Sequence, residues 1–158
     1  MNTTITDKII LLSKKGLKEL RKSIHQLEHD RKKAIQTLRE LDKTTGHDER
    51  LERNEKLSIL EGIESELAEK QMTLASAKLM PARQNRLQVA IGSVVDLIDK
   101  HGHLFRYTIV DSIEANPSDG RISTASPLGR NLIGRTVQDI IMWGNGKKYN
   151  QYQLIRIA

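Results

Sequence analysis

From Leu17 onward the apolar positions recur in alternating steps of three and four. Leu17, Leu20, Ile24, Leu27, Ala34, Leu38 and Leu41 form the series, and Arg31 is its single interruption. An a/d seam sustained over about four heptads predicts a long helix. Ser13 stands at its start as an N-cap. Thr44-Thr45-Gly46-His47 breaks the pattern, and a second helical run extends from Asp48 to about Leu79. Its seam reads Leu60, Ile63, Leu67, Leu74 and Ala77, with Lys70 as the polar member, and Pro81 marks its end. Two helices of similar length joined by a short Gly-containing turn pack antiparallel. At 1.5 Å per residue, some thirty residues make an arm of roughly 45 Å. Apolar burial thins toward the turn, where Arg53 and Lys56 occupy positions that suit apolar residues.

Beyond Pro81 the period changes. The stretch 81–88 (PARQNRLQ) is polar and basic and reads as a linker. Alternating segments follow at 89–97 and 105–110 around the turn Asp99-Lys100-His101-Gly102-His103. Another pair, 140–143 and 149–157, flanks Gly144-Asn145-Gly146-Lys147. Residues 128–134 read as a short helix after Pro127. The expectation is an α+β chain in two parts. Residues 1–82 form an antiparallel coiled-coil hairpin, and 83–158 a small antiparallel β domain of four or five strands wrapping one short helix.

Composition agrees with that division. Of 158 residues, 37% are hydrophobic and 3% aromatic, thin for one compact core but sufficient for a hairpin that buries only a seam. A net charge of +6 points to an acidic partner, nucleic acid first, or to a solvated basic surface. Lys14, Lys15, Lys18, Arg21 and Lys22 crowd the base of the first helix and Arg31-Lys32-Lys33 lies midway. Such a face can track a phosphate backbone. The absence of Cys excludes thiol chemistry, disulfides and Cys-ligated zinc. No apolar run is long enough to span a membrane, and Met1-Asn2-Thr3-Thr4 does not open a signal peptide. A cytoplasmic monomer is expected. His101 and His103 are too few for a metal site and read as a solvated turn. Gly144-Asn145-Gly146 lacks the rest of a phosphate loop, and Ser123 and Ser126 belong to no recognisable nucleophile arrangement. Nothing forms the complete set of a stand-alone enzyme. The remaining constellation is acidic: Asp42, Asp48, Glu49 and Glu52 around the hairpin turn.

One stretch narrows these alternatives. From Tyr107 to Gly134 the chain runs Ile109-Val110, Glu114-Ala115, a turn at 116–120, Ile122-Ser123, Ser126-Pro127 and Leu132-Ile133-Gly134. This resembles the C-terminal domain of the Gre family (GreA and GreB), bacterial transcript cleavage factors. Ser13-Lys14-Lys15-Gly16-Leu17 and Glu61-Gly62-Ile63 are similar to the family's outgoing and returning helices. The resemblance covers nearly the whole chain after about residue 11. It implies an FKBP-like C-terminal domain that docks through Ser123, Ser126 and Pro127 on a coiled coil of RNA polymerase. The hairpin then enters the secondary channel, with nascent RNA as a further partner, and tip acids help the polymerase cut backtracked RNA. Extra carboxylates there give hard oxygen ligands to a weakly held second Mg²⁺. The implied acids are Asp48, as the Mg²⁺ ligand, with Glu49 and Asp42 beside it. The chain departs from the family at this point. Counting from Gly16, His47 takes the position of the functional Asp and Arg50 that of the functional Glu, whereas a shift of one residue brings Asp48 to the Asp position. The family's Asn-Ala-Glu-Tyr element is missing, so polymerase binding is better supported than cleavage. Binding without cleavage, or direct nucleic-acid binding through the basic helix, are the other readings.

Overall fold

The computed structural model describes residues 8–43, 46–81, 87–145 and 147–158. The chain divides into two compact units. One includes Lys15–Ala77, and the other joins Ile9–Lys14 to Lys78–Ala158. The linker, with the expected boundary at 82/83, lies largely outside the described residues.

In the first unit, α1 (Lys14–Leu41) and α2 (His47–Ser76) form the hairpin. Leu20, Ile24 and Leu38 of α1 and Leu67 of α2 are buried, and the other apolar seam positions are half-buried. Two ion pairs link the helices in antiparallel register. Arg31 Nε lies 3.1 Å from Glu64 Oε1, and Arg53 Nε lies 2.6 Å from Asp42 Oδ1. Between these pairs α1 advances eleven residues while α2 retreats eleven. Arg31 therefore interrupts the seam without an uncompensated charge. Lys70 stays half-buried and reaches Glu66 one turn back at 3.6 Å.

The second unit begins before the hairpin. β1 (Ile10–Leu12) pairs with β2 (Ala77–Leu79), so the last residues expected to be helical are extended. Met80 N–H donates to the Leu12 carbonyl at 2.8 Å, and Leu12 is fully buried. The main sheet has the order β5-β4-β3-β7-β6. Its strands are β3 (Val94–Asp99), β4 (Leu104–Val110), β5 (Arg121–Ser123), β6 (Ile140–Asn145) and β7 (Lys148–Ile157). The hairpins β3–β4 and β6–β7 fall where alternation placed them. At the β5 edge the sheet is mixed, because β5 runs parallel to β4, with Ile109 opposite Ile122. Val89 to Gly92, expected as strand, forms an approach to β3. Gly92 has φ 87°, and the Val89 N–H and carbonyl bond to Arg135 and Gly134 beyond the short helix. α3 (Pro127–Leu132) packs on β5 and β6. The core, including Val95, Leu97, Ile109, Leu132, Ile141 and Leu154, lies on one sheet face, with Phe105, Tyr107, Trp143 and Tyr152 at its margin.

Candidate functional site

The three tip acids have different surroundings. Asp42 follows α1, and its N–H still donates to the Leu38 carbonyl at 3.0 Å. Its carboxylate receives Arg53 Nε–H at 2.6 Å. Gly46 is the N-cap of α2, and its N–H donates to the Glu49 carboxylate, which occupies the third helical position. This is the carboxylate half of a capping box. Asp48, in the first turn of α2, is exposed, and among the described residues its carboxylate has no hydrogen bond or ion pair. An acid there is favoured by the partial positive charge of the helix N-terminus. Two of the three acids thus have structural employment, and Asp48 remains available. Among the described residues no three His, Cys, Asp or Glu side chains cluster as a metal site would require. Among the described residues, Asp48 and, one turn further along α2, Glu52 are exposed tip carboxylates without a hydrogen bond or ion pair.

The Ser123 to Pro127 corner is a tightly bonded turn. Ser126 N–H and Oγ–H donate to the Ser123 carbonyl at 3.1 and 2.7 Å, and Gly129 N–H donates to Ser126 Oγ at 3.0 Å. Ser126 is therefore the N-cap of α3, with Pro127 in the first turn, where its missing N–H costs nothing. Ser123 Oγ accepts from Ala125 N–H at 3.0 Å and lies 2.7 Å from Ser112 Oγ. A Cβ on Gly129 would come within 2.0 Å of the Ser123 carbonyl oxygen, so only glycine fits beneath this turn. Pro127 and Ala125 are exposed at its surface.

A third cluster was not read from the sequence. Glu114 is only 8% exposed. Its Oε2 accepts the Ser13 backbone N–H at 2.9 Å and its Oε1 the Ser13 hydroxyl at 2.5 Å. The contact joins residues 101 apart at the point where α1 begins. Glu114-Ala115 and Ser13-x-x-Gly16 were each visible as motifs, but no local pattern says that they meet.

Lys14, Lys15, Lys18, Arg21 and Lys22 are all exposed on α1. At 100° per residue they fall within an arc of roughly 120° that also carries Lys32, Lys33 and Arg39 and lies away from the seam. Lys15 makes a loose contact with Glu19 at 3.9 Å. Helix α1 has nine Lys and Arg against four Asp and Glu, whereas α2 has four against eight. The hairpin's positive charge is concentrated on its outgoing helix.

The family described as "Transcription elongation factor, GreA/GreB, C-term" matches residues 84–158. The chain is 33% identical over 132 residues to transcription elongation factor GreA of Mycoplasma pneumoniae, covering 81% of this chain and 82% of that protein. It is 31% identical over 155 residues to GreA of Mesomycoplasma hyopneumoniae, covering 95% and 94%. Among solved structures, Thermus aquaticus Gfh1 aligns with 25% identity and a TM-score of 0.44, covering 95% of this chain and 98% of that one. Identity at this level across nearly the full length places the chain in the GreA/GreB family of transcription elongation factors.

Proposed function

We propose that this protein binds bacterial RNA polymerase at the secondary channel and promotes cleavage of backtracked RNA, restarting arrested complexes. It is an accessory factor and not an enzyme, because the bond-breaking site belongs to the polymerase. The observation that carries the cleavage reading is Asp48, exposed beside the hairpin turn and without a partner among the described residues, while Asp42 and Glu49 are engaged. In this reading Asp48 would supply one oxygen ligand to a second Mg²⁺ of the polymerase, an ion that would activate the attacking water. Glu49 fixes the start of α2 and so the position of Asp48. The Asp42–Arg53 pair holds the ends of the two helices together. The basic face of α1 faces nascent RNA, and the Ser123 to Pro127 corner docks on the polymerase's coiled coil. Action on transcription sites the protein in the cytoplasm, as a monomer.

RNA cleavage in stalled, backtracked complexes tests this reading. Wild type should accelerate cleavage, and Asp48→Asn should lose most of that acceleration while binding as tightly. Equal cleavage by wild type and variant refutes the assignment of Asp48. A second reading, channel occupancy without cleavage, is favoured by the residues beside Asp48 in the sequence: Lys43, His47 and Arg50 oppose metal capture. It predicts a wild type that binds without accelerating cleavage. Direct nucleic-acid binding, favoured by the α1 face, predicts a gel shift of naked RNA or DNA without polymerase.

A further inference from the structure

An antiparallel sheet with one face on a core ordinarily turns polar residues to solvent on the other. The main sheet here departs from this in part, setting several large apolar residues among the polar ones on its outer face. Opposite the core, Leu104 is 67% exposed, Ile140 54%, Met142 59%, Tyr149 61% and Ile155 41%. Cross-strand register arranges them. Leu104 pairs with Ile98, Ile98 with Gln153, and Gln153 with Ile140, giving one row across four strands. Met142 and Tyr149 extend the apolar area along β6 and β7. The register shift between Asp96 and Leu97 turns both Ile155 and Arg156 outward. Ile155, Leu104, Phe105, Asp96 and Arg106 line a shallow depression. The apolar area is on the order of 500 Å², a size at which a monomer's largest patch is often functional.

Charge on this face selects the occupant. Arg106 neutralises Asp96 with two hydrogen bonds, at 2.7 and 3.1 Å. Arg156, opposite Asp96 on β7, has no hydrogen bond or ion pair from its side chain among the described residues. Asp96 thus has two cations beside it, and the face carries one more cation than acid next to a largely apolar row in which Gln153 is the polar member. A second copy would bring two such faces together on chains of charge +6, which electrostatics opposes. We propose that the outer face of the sheet is a second docking surface for RNA polymerase. It seats an acidic amphipathic segment, with apolar side chains on the Leu104–Ile140 row and a carboxylate on Arg156. The proposal rests on the polymerase-binding reading. It adds a contact toward β6, at the opposite edge of the sheet from the Ser123 corner.

Titration of labelled protein with core polymerase tests it, using wild type, the double variant Leu104→Ser/Met142→Ser, Arg156→Glu and Arg156→Lys. These side chains are exposed, so melting temperatures should stay near wild type, apart from a small loss in Arg156→Glu, whose carboxylate would face Asp96 across the strand pair. The double variant should bind about tenfold more weakly and Arg156→Glu at least fivefold, while Arg156→Lys stays within about threefold, as expected of a buried anchor and a charge contact. If wild type fails to bind, the polymerase reading itself falls. If wild type binds and every variant is within twofold of it, only the docking surface is refuted. A dimer in sedimentation that the double variant abolishes, with polymerase affinity unchanged, also overturns it, in favour of a second copy.

Discussion

Three residues of the C-terminal unit show how polar groups fix its geometry. Glu114 satisfies the Ser13 N–H and hydroxyl together. Glu114→Ala leaves both without their acceptor and should cost about 2–3 kcal/mol, measured by urea unfolding. Gln, which keeps one acceptor oxygen, should cost less. At Gly129 the constraint is steric, since an added Cβ would sit 2.0 Å from the Ser123 carbonyl oxygen. Gly129→Ala should destabilise by about 2 kcal/mol or more and disturb the docking corner. Ser126 caps α3, so Pro127→Ala alone is the cleaner probe of docking. Asp96 gives a pH dependence. The Arg106 hydrogen bonds hold its carboxyl below the ordinary 3.8, against a smaller opposing effect of burial, with the Arg106 and Arg156 charges assisting. A carboxyl with a lowered folded-state pKa stabilises the native state above its unfolded value, and the contribution is lost as pH falls through the folded value. Asp96→Asn should therefore cost under about 1 kcal/mol at pH 7, because Arg106 is mostly exposed. The gap between wild type and variant should close as the pH drops below 3.8. A gap that persists in acid would assign the effect to packing.

At the level of elements, what was legible in the sequence followed from periodicity. The α1 and α2 seams were readable because each apolar position repeats a local spacing over many turns. The hairpins β3–β4 and β6–β7 were readable because alternation flanks a turn. β1 and β2 were not, because three residues carry no period and their pairing partners lie far apart in the chain. The parallel β5 was hidden for a related reason. Its direction is set by the two short 3₁₀ turns Ser112–Glu114 and Pro117–Asp119, and by Gly120 at φ 82°. At the tip, the acids were visible as residue types, but their different employment was not. Arg53 pairs with Asp42 across the turn, and Glu49 closes back on Gly46. The seam is underfilled midway, where Ala34, Thr37, Ile59 and Ile63 line an open groove with Asp30, Lys33 and Lys56 at its rim. Ala34→Leu should fill part of this space and raise hairpin stability by about 1 kcal/mol in urea unfolding. A loss of stability would mean that the helices cannot accommodate the larger side chain.

Across the whole molecule, charge is distributed in a way that composition alone could not reveal. The net charge of +6 is the sum of a basic α1, an acidic α2 and a moderately basic C-terminal unit. If the α1 face follows nascent RNA or DNA in an elongation complex, its cations displace counterions condensed on the phosphates. Affinity then falls with salt in proportion to the number of phosphates neutralised. Lys18, Arg21 and Lys22 are exposed on that face and lie outside the seam, so changing them to Gln should leave folding intact. The triple variant should lower the slope of log affinity against log salt by about 2–3, near one for each phosphate no longer neutralised. The acidic α2 supplies the control, because Glu61 and Glu69 are equally exposed and changing both to Gln should not lower the slope. Titrating stalled elongation complexes over a series of salt concentrations, with core polymerase in parallel, separates the two acidic partners. A reduced slope on elongation complexes but not on core assigns the α1 face to nucleic acid. An equal reduction on both assigns it to an acidic surface of the polymerase, and an unchanged slope leaves it as a solvated face with no part in binding.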